Sequence, residues 1–483
     1  MPTDLAAPPT LLDDPRVAEA RRLLHEAAAE QRERLNGPRP ADPDRKQSYD
    51  DLLARFGEQR GGGLWYPYLG TGAGSGPFVE LADGSVKYDM INGIGVHVLG
   101  HGHRAWLDAG LDAALADTVM QGVLQQNTDS ASITQRLIGL ATDGGAPLCH
   151  AYLCTSGAMA NENSFKLAFQ RKARRGTPDK PCPSDRLLAF QGTFCGRTLA
   201  LSSMSDKPGN RVGLPKALDV DYVPFYDPAD PEGSTARAVE RLTEHLTRWP
   251  GHHAAFKMEL VIGEGGFYGG SHAFFMALIE VLKRHEVAVI VDEIQTFSRT
   301  TRPFAFQHYG LDAHVDLVNF GKATQLCGTL FTDDFVPQPG LIAQTFTAST
   351  HAIRACDALL DQMEEDHWYD GPGADPDHPA GLVAATAEAL RARVQALAES
   401  HPDRISGPYG VGSMIAFTPF DGSLAAAKWI LDDLFERGVI AFLCGRDAVR
   451  IRFLPACAVL TDHHLDEVTS LLDASLAAYA DQA

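Results

Sequence analysis

An apolar run, Val287-Ala288-Val289-Ile290-Val291, ends on Asp292-Glu293-Ile294-Gln295, and further along a lysine stands between glycine and alanine in Phe320-Gly321-Lys322-Ala323. Five such residues without a polar break suit the centre of a parallel sheet covered on both faces. Ligands of such sheets collect at the carboxyl ends of the strands. An aspartate at that edge of an apolar core is costly unless a cation meets it. A protonated pyridine nitrogen is such a cation, and a lysine can hold the same ring as a Schiff base. Asp292 and Lys322 together point to pyridoxal phosphate.

Three further segments have the residue types that such a site requires, each at an expected strand end. Cys154-Thr155-Ser156-Gly157-Ala158 runs into a helical stretch, so small residues leave backbone N–H groups free at a helix N-terminus, which favours a phosphate. In Phe190-Gln191-Gly192-Thr193-Phe194-Cys195-Gly196-Arg197, Phe194 can stack on a ring and Arg197 can bring a guanidinium to a carboxylate. Taken singly, the first reads as core and the second as a surface ion-pair partner. Glu259-Leu260-Val261-Ile262-Gly263-Glu264-Gly265 ends a strand on a carboxylate among glycines. In this setting Asp292 keeps a ring nitrogen protonated, Gln295 reaches the phenolic oxygen, and Lys322 serves as carbonyl-holding amine and then as proton-moving base.

The elements that must position these residues alternate. Strands are expected at Ala151–Cys154, Arg186–Phe190, Val220–Pro224, Ala255–Val261, Val287–Val291 and Leu317–Phe320, with helical stretches between them, the pattern of a mostly parallel α/β sheet. Beyond Phe346 come a long helical segment, strands near 412–417 and 448–453 and a closing helix, a smaller α+β lobe. Residues 1–60 form an appendage with helices at about 15–35 and 49–56, expected to pack on the main body. Asp83-Gly84 marks a hairpin between Phe78-Val79 and Val86. The glycines of 70–76 lack a strand before and a helix after, so they are expected to form a flexible loop and not a nucleotide loop.

The chain has 483 residues, 45% hydrophobic and 22% charged, which suits a globular protein of two or three lobes. A formal net charge of −20 argues against nucleic acid or an anionic membrane as partner. Eight cysteines without paired short spacings read as reduced buried thiols. No secretory leader and no membrane span are expected, so the setting is cytoplasmic.

Together these segments resemble the class III aminotransferases of pyridoxal-phosphate fold type I, and lean toward lysine 6-aminotransferases in Gly157-Ala158-Met159-Ala160-Asn161-Glu162-Asn163 and in Phe320-Gly321-Lys322-Ala323-Thr324-Gln325-Leu326-Cys327-Gly328. The resemblance runs from about Trp65 to the C-terminus. It implies an N-terminal helical extension (1–64), a segment packing with the small domain (65–104), a large cofactor-binding domain (105–345) with a seven-stranded-type sheet, and a small α+β domain (346–483). It further implies Lys322 as the Schiff-base lysine, Asp292 on the pyridine nitrogen, Gln295 near the phenolic oxygen, Phe194 on the ring, and Ser156, Gly157 and Ala158 on the phosphate. Thr345 matches a threonine that reaches the phosphate of the neighbouring subunit, so a homodimer with shared sites is implied. Arg452 matches the arginine that holds the carboxylate of glutamate, Glu264 the acidic switch that pairs with it, Arg197 the holder of the other carboxylate, and Ile94 a substrate-channel position. His101 and His103 match a structural glycine-histidine stretch, and no metal is implied.

The implied reaction moves an amino group, from an ω-amino donor of the lysine or ornithine kind, to 2-oxoglutarate in two half-reactions; a racemase, decarboxylase or phospho-lyase on the same scaffold is the alternative. Four departures from the family pattern, at Leu260 and Ile262, Cys195, Thr296–Thr300 and Thr347–Ser349, are expected to lie at the entrance or substrate side of the site.

Overall fold

The computed structural model describes residues 11–177, 182–369 and 380–482. The first ten residues of the expected N-terminal extension lie outside that range. The large sheet has seven strands: β1 (His150–Cys154), β2 (Arg186–Phe190), β3 (Asp219–Val223), β4 (His253–Met258), β5 (Ala288–Asp292), β6 (Leu317–Phe320) and β7 (Cys327–Phe331), in the order β1-β7-β6-β5-β4-β2-β3. Only β7 runs against the others, pairing antiparallel with β6 and β1. The expected strands fall within a few residues of these. The expected 255–261 strand breaks at Met258, and Val261–Ile262 pairs instead with Tyr268–Gly269. β7 was not among the expected strands, because Cys-Gly-Thr-Leu-Phe carries neither alternation nor a β-branched run.

β5 is buried along its whole length, as are β4, β6 and β7, so its apolar run lies in the middle of the sheet. Its neighbours β4 and β6 are held in parallel register, Ile290 opposite Lys257 on one side and Leu317 on the other. The helix Gly157–Ala173 packs against β4, β6 and β7. Phe190, Phe256, Phe274 and Phe275 form an aromatic group on the sheet, with ring centroids 4.7–6.4 Å apart.

The glycine-rich segment is not a loop. Gly70–Ser75 is a strand paired with Phe78–Leu81, followed by Val86–Asp89 and, in parallel, Val439–Ile440 from the C-terminal part of the chain. Close approach explains the glycine at 74: a Cβ there would lie 2.5 Å from His101 Cβ and 2.9 Å from the Phe78 carbonyl. Asp83-Gly84 makes the expected hairpin turn, with Gly84 at φ +84°. His101 bonds Asp89 at 2.8 Å and His103 caps the helix Arg104–Ala114.

The N-terminal helices span Pro15–Arg32 and Pro43–Arg60, the second longer than expected because Asp42 caps it with Pro43 at its first position. Arg21 and His25 bond Asp108 and Asp112 of the helix Arg104–Ala114, and Leu35 is buried. The C-terminal sheet, ordered Ile405–Tyr409, Ile415–Pro419, Arg450–Phe453 and Phe442–Cys444, is packed by Leu382–Ser400 and Leu424–Arg437, and Asp462–Ala480 lies against both of those helices. All eight cysteines are free; Cys149 is exposed and Cys182 partly so. No helix among the described residues is long and apolar enough to cross a membrane.

Candidate active site

The carboxyl ends of β1, β2, β4 and β5, with the turn after β6, surround a cavity of about 220 Å³. Gly157, Ala158, Phe194, Glu264, Asp292, Gln295 and Lys322 all line it. Ser156 caps the 17-residue helix that begins at Gly157, its Oγ accepting from Met159 N at 3.2 Å. A Cβ on Gly157 would lie 2.8 Å from Ile294 Cδ1, so glycine is what lets this helix start approach the end of β5.

Asp292 is buried. Its Oδ1 accepts from Ile294 N at 3.1 Å, and its Oδ2 from Asn161 Nδ2 at 3.1 Å and from Lys257 Nζ at 2.9 Å. Gln295 is partly buried with its Oε1 unpartnered among the described residues. Lys322 follows an extended Gly321 and has a left-handed φ of +52°, a conformation that a non-glycine residue adopts only where its surroundings enforce it. Burial lowers the Lys322 ammonium to about 8, with Glu264 opposing the shift. Its amine is therefore neutral and nucleophilic at lower pH than that of an exposed lysine.

At the other end of the cavity, Arg452 Nη2 donates to Glu264 Oε1 at 2.5 Å, and Lys207 Nζ lies 3.2 Å from Glu264 Oε2. Burial alone would raise the Glu264 carboxyl, but Arg452 and Lys207 outweigh it and hold the group at about 2. Arg452 is fully buried between the rings of Phe267 and Phe442, and its Nε and Nη1 find no hydrogen-bond partner among the described residues. Buried guanidinium donors without a partner suit a carboxylate ligand.

Five residues of the expected set do not line this cavity: Ser156 and Arg452 stand directly behind its lining, next to Gly157 and paired with Glu264, and three others lie farther off. Arg197 is exposed, its guanidinium 5.9 Å from the Phe194 ring centre. Ile94 is partly buried and packs on the main core, at φ +64°, an unusual conformation for a β-branched residue. Thr345 is exposed and sits on a loop bonded to Val123, whose N–H donates to the Gln344 carbonyl at 3.0 Å. The expectation that the four departures lie at the entrance is corrected in part. Leu260, Ile262 and Phe297 belong to the hydrophobic core, where their larger side chains fill space, whereas Cys195 and Thr296 do line the cavity.

Sequence reasoning missed Lys257, Asn161 and Lys207. Lys257 carried a signal: a charged residue in the middle of an otherwise apolar parallel strand. Its Nζ lies 2.9 Å from Asp292 Oδ2, 3.1 Å from Glu259 Oε1, 2.9 Å from the Phe194 carbonyl and 3.2 Å from Thr193 Oγ1. Burial would lower its ammonium, but the carboxylates of Asp292 and Glu259 hold it above the usual lysine range.

These residues fit pyridoxal phosphate: a helix start shaped by glycine for the phosphate, a partly neutral lysine, a buried aspartate and a glutamine with an unpartnered oxygen. The sequence pattern of the aminotransferase class-III family matches residues 68–476, and the chain belongs to that family. It is thus a pyridoxal-phosphate-dependent aminotransferase. It is 27% identical over 402 residues to the L-lysine-epsilon aminotransferase of Mycobacterium tuberculosis, covering 79% of this chain and 86% of the relative. It is 28% identical over 411 residues to the acetylornithine aminotransferase of Bacillus subtilis, covering 83% and 93%. The structure of lysine aminotransferase from M. tuberculosis superposes with a TM-score of 0.75 at 23% identity, over 88% of this chain and 99% of that one, and so shares the fold.

Proposed function

We propose that the enzyme takes an ω-amino group from a lysine- or ornithine-like amino acid and passes it to 2-oxoglutarate in two half-reactions that use one cavity in turn. The observation that carries this reading is the Glu264–Arg452 pair at 2.5 Å. While the pair is closed, Arg452 is neutralised and a cationic or uncharged amine meets no free guanidinium. When Glu264 swings aside, Arg452 can fork onto the carboxylate of a 2-oxo acid. Arg197 at the rim takes the second carboxylate, and Ile94 borders the approach.

Bound pyridoxal phosphate supplies a carbonyl for the incoming nitrogen and a ring that withdraws electrons from the substrate carbon. Lys322 would hold the cofactor through its side-chain amine and, once released by substrate, would carry the proton that leaves the substrate carbon. Asp292 would meet the ring nitrogen, Gln295 the phenolic oxygen and Phe194 the ring face. Ser156, Gly157 and Ala158 would hold the phosphate at the helix start. Thr345, exposed in one chain, completes the phosphate site of a second copy in a homodimer. Names of relatives that act on lysine and acetylornithine support the donor class. The free cysteines, six of them buried, support a cytoplasmic setting.

Purified protein with pyridoxal phosphate is expected to absorb in the visible, and Lys322→Ala to lose that band along with about 10³-fold of its rate. Adding candidate amines singly and watching the band disappear identifies the donor. A keto product formed with loss of the band supports transamination, and loss of the band without a keto product sinks it.

A further inference from the structure

Lys257 has no part in the reading above, yet it is a fully enclosed charge beside the cavity. It stands on β4 between Phe256 and Met258, with no side-chain exposure. A buried ion pair adds little stability over apolar packing, so stability does not explain a lysine here. Its neighbours do suggest an explanation. The ammonium touches Asp292, and it also touches the carbonyl of Phe194 and both groups that hold the Phe194 turn, Thr193 Oγ1 and Glu259 Oε1. Glu259 in turn accepts from Thr193 Oγ1 at 2.6 Å, Phe194 N at 2.8 Å and Gly263 N at 3.1 Å. One cation thus ties the strand-end aspartate to the turn that presents the aromatic ring.

We propose that Lys257 is a positioning residue that shares the Asp292 carboxylate with the pyridine nitrogen of the cofactor, and so loosens that nitrogen's hold on its proton while fixing Phe194 against the ring. The proposal rests on the reading that Asp292 faces the ring nitrogen. Asp292 Oδ2 already accepts from Asn161 and Lys257, and Oδ1 from Ile294 N, so a pyridinium proton shares a carboxylate whose charge is partly spent. The other ionisable groups around Asp292 leave Lys257 as its direct cationic partner. Glu259 stands just after β4, Glu293 just after β5 and Lys322 in the turn after β6, while burial keeps the thiols of Cys195 and Cys327 neutral. Arg452 is directly paired with Glu264.

The test follows the ring-nitrogen chemical shift against pH in substrate-free protein loaded with cofactor carrying 15N in its ring. In the wild type this nitrogen is expected to lose its proton within the pH range where the protein stays folded. In Lys257→Met the titration moves up by roughly one to two pH units, the size expected for a nearby unit charge at an effective dielectric near 20. Lys257→Met with Glu259→Gln removes a cation and an anion together, and there the titration moves up by roughly half a unit, which carries the test if the single variant does not fold. A wild-type nitrogen that stays fully protonated to the alkaline unfolding limit overturns the proposal, as does an unchanged titration in either variant that binds the cofactor. Asp292→Asn separates the two readings. If it leaves the shift unmoved, Asp292 does not face the ring; if it moves the shift and the Lys257 variants do not, only the role of Lys257 falls.

Discussion

Lys322 and Glu264 are both shifted downward, which takes charge from the lysine and keeps it on the glutamate. Burial disfavours the charge on both, but Glu264 has Arg452 and Lys207 against it and stays ionised, whereas Lys322 has no contact ion partner among the described residues and falls to about 8. Only the neutral amine attacks a carbonyl. Capture of pyridoxal phosphate by cofactor-free protein should therefore quicken as pH rises through about 8 and then level off, which stopped-flow absorbance would follow. A rate still climbing at pH 10 would mean an unperturbed lysine. Glu264→Gln removes the anion that closes Arg452. The KM for 2-oxoglutarate is expected to fall about tenfold while that for the amine donor rises, a difference of about 1.4 kcal/mol in each direction. Initial rates with each substrate varied separately would show whether the two constants part in this way.

Elements place these residues through their ends. β5 ends on Asp292, and the next residue, Glu293, turns inward with no exposure. Its Oε1 accepts from Phe306 N at 2.9 Å, tying the strand end to the short helix Ala305–His308, and its Oε2 accepts from the Thr296 hydroxyl. Burial raises this carboxyl to about 7, against the pull of those donors. The folded state thus binds the proton more tightly than the unfolded one, so the contribution to stability is complete below about 4.5 and is lost as pH rises through about 7. Glu293→Gln keeps the shape without the charge. Its denaturant midpoint should exceed that of the wild type at pH 8, by an amount equivalent to about 3 kcal/mol, and the gap should narrow toward pH 5. A gap independent of pH would count against the buried-charge account.

At the scale of the whole molecule, the Thr345 loop lies among exposed apolar side chains: Leu124 at 96%, Val119 at 71%, Phe346 at 54% and Val123 at 51%. Apolar side chains grouped this openly suit a protein interface. With Thr345 outside the cavity of its own chain, the same face would both bury these residues and deliver the threonine. Leu124→Asp is expected to shift the protein from dimer to monomer in sedimentation and to weaken cofactor retention about tenfold. A wild type that sediments as a monomer at micromolar concentration would end this reading.

The cofactor end of the site was legible in the sequence because each of its residues sits next to a strand end. An apolar run closing on Asp292, a small-residue turn at Ser156–Ala158 and a lysine after β6 are local patterns. Parallel sheets bring such ends to one edge whatever the loops between them do. Six of the seven strands were legible for the same reason, and β7 was not, since its place is set by its neighbours. The reach of Glu264 to Arg452, 188 positions away, followed from likeness to a family and not from any pattern in the chain itself. The burial of Leu260, Ile262 and Phe297, the pairing of a glycine-rich segment as a strand, and the placing of Lys257 against Asp292 were decided only by the tertiary structure. Each depends on what packs across a gap between distant segments. Spacing along a chain specifies which residues share a strand, but not which charge they meet on the next one.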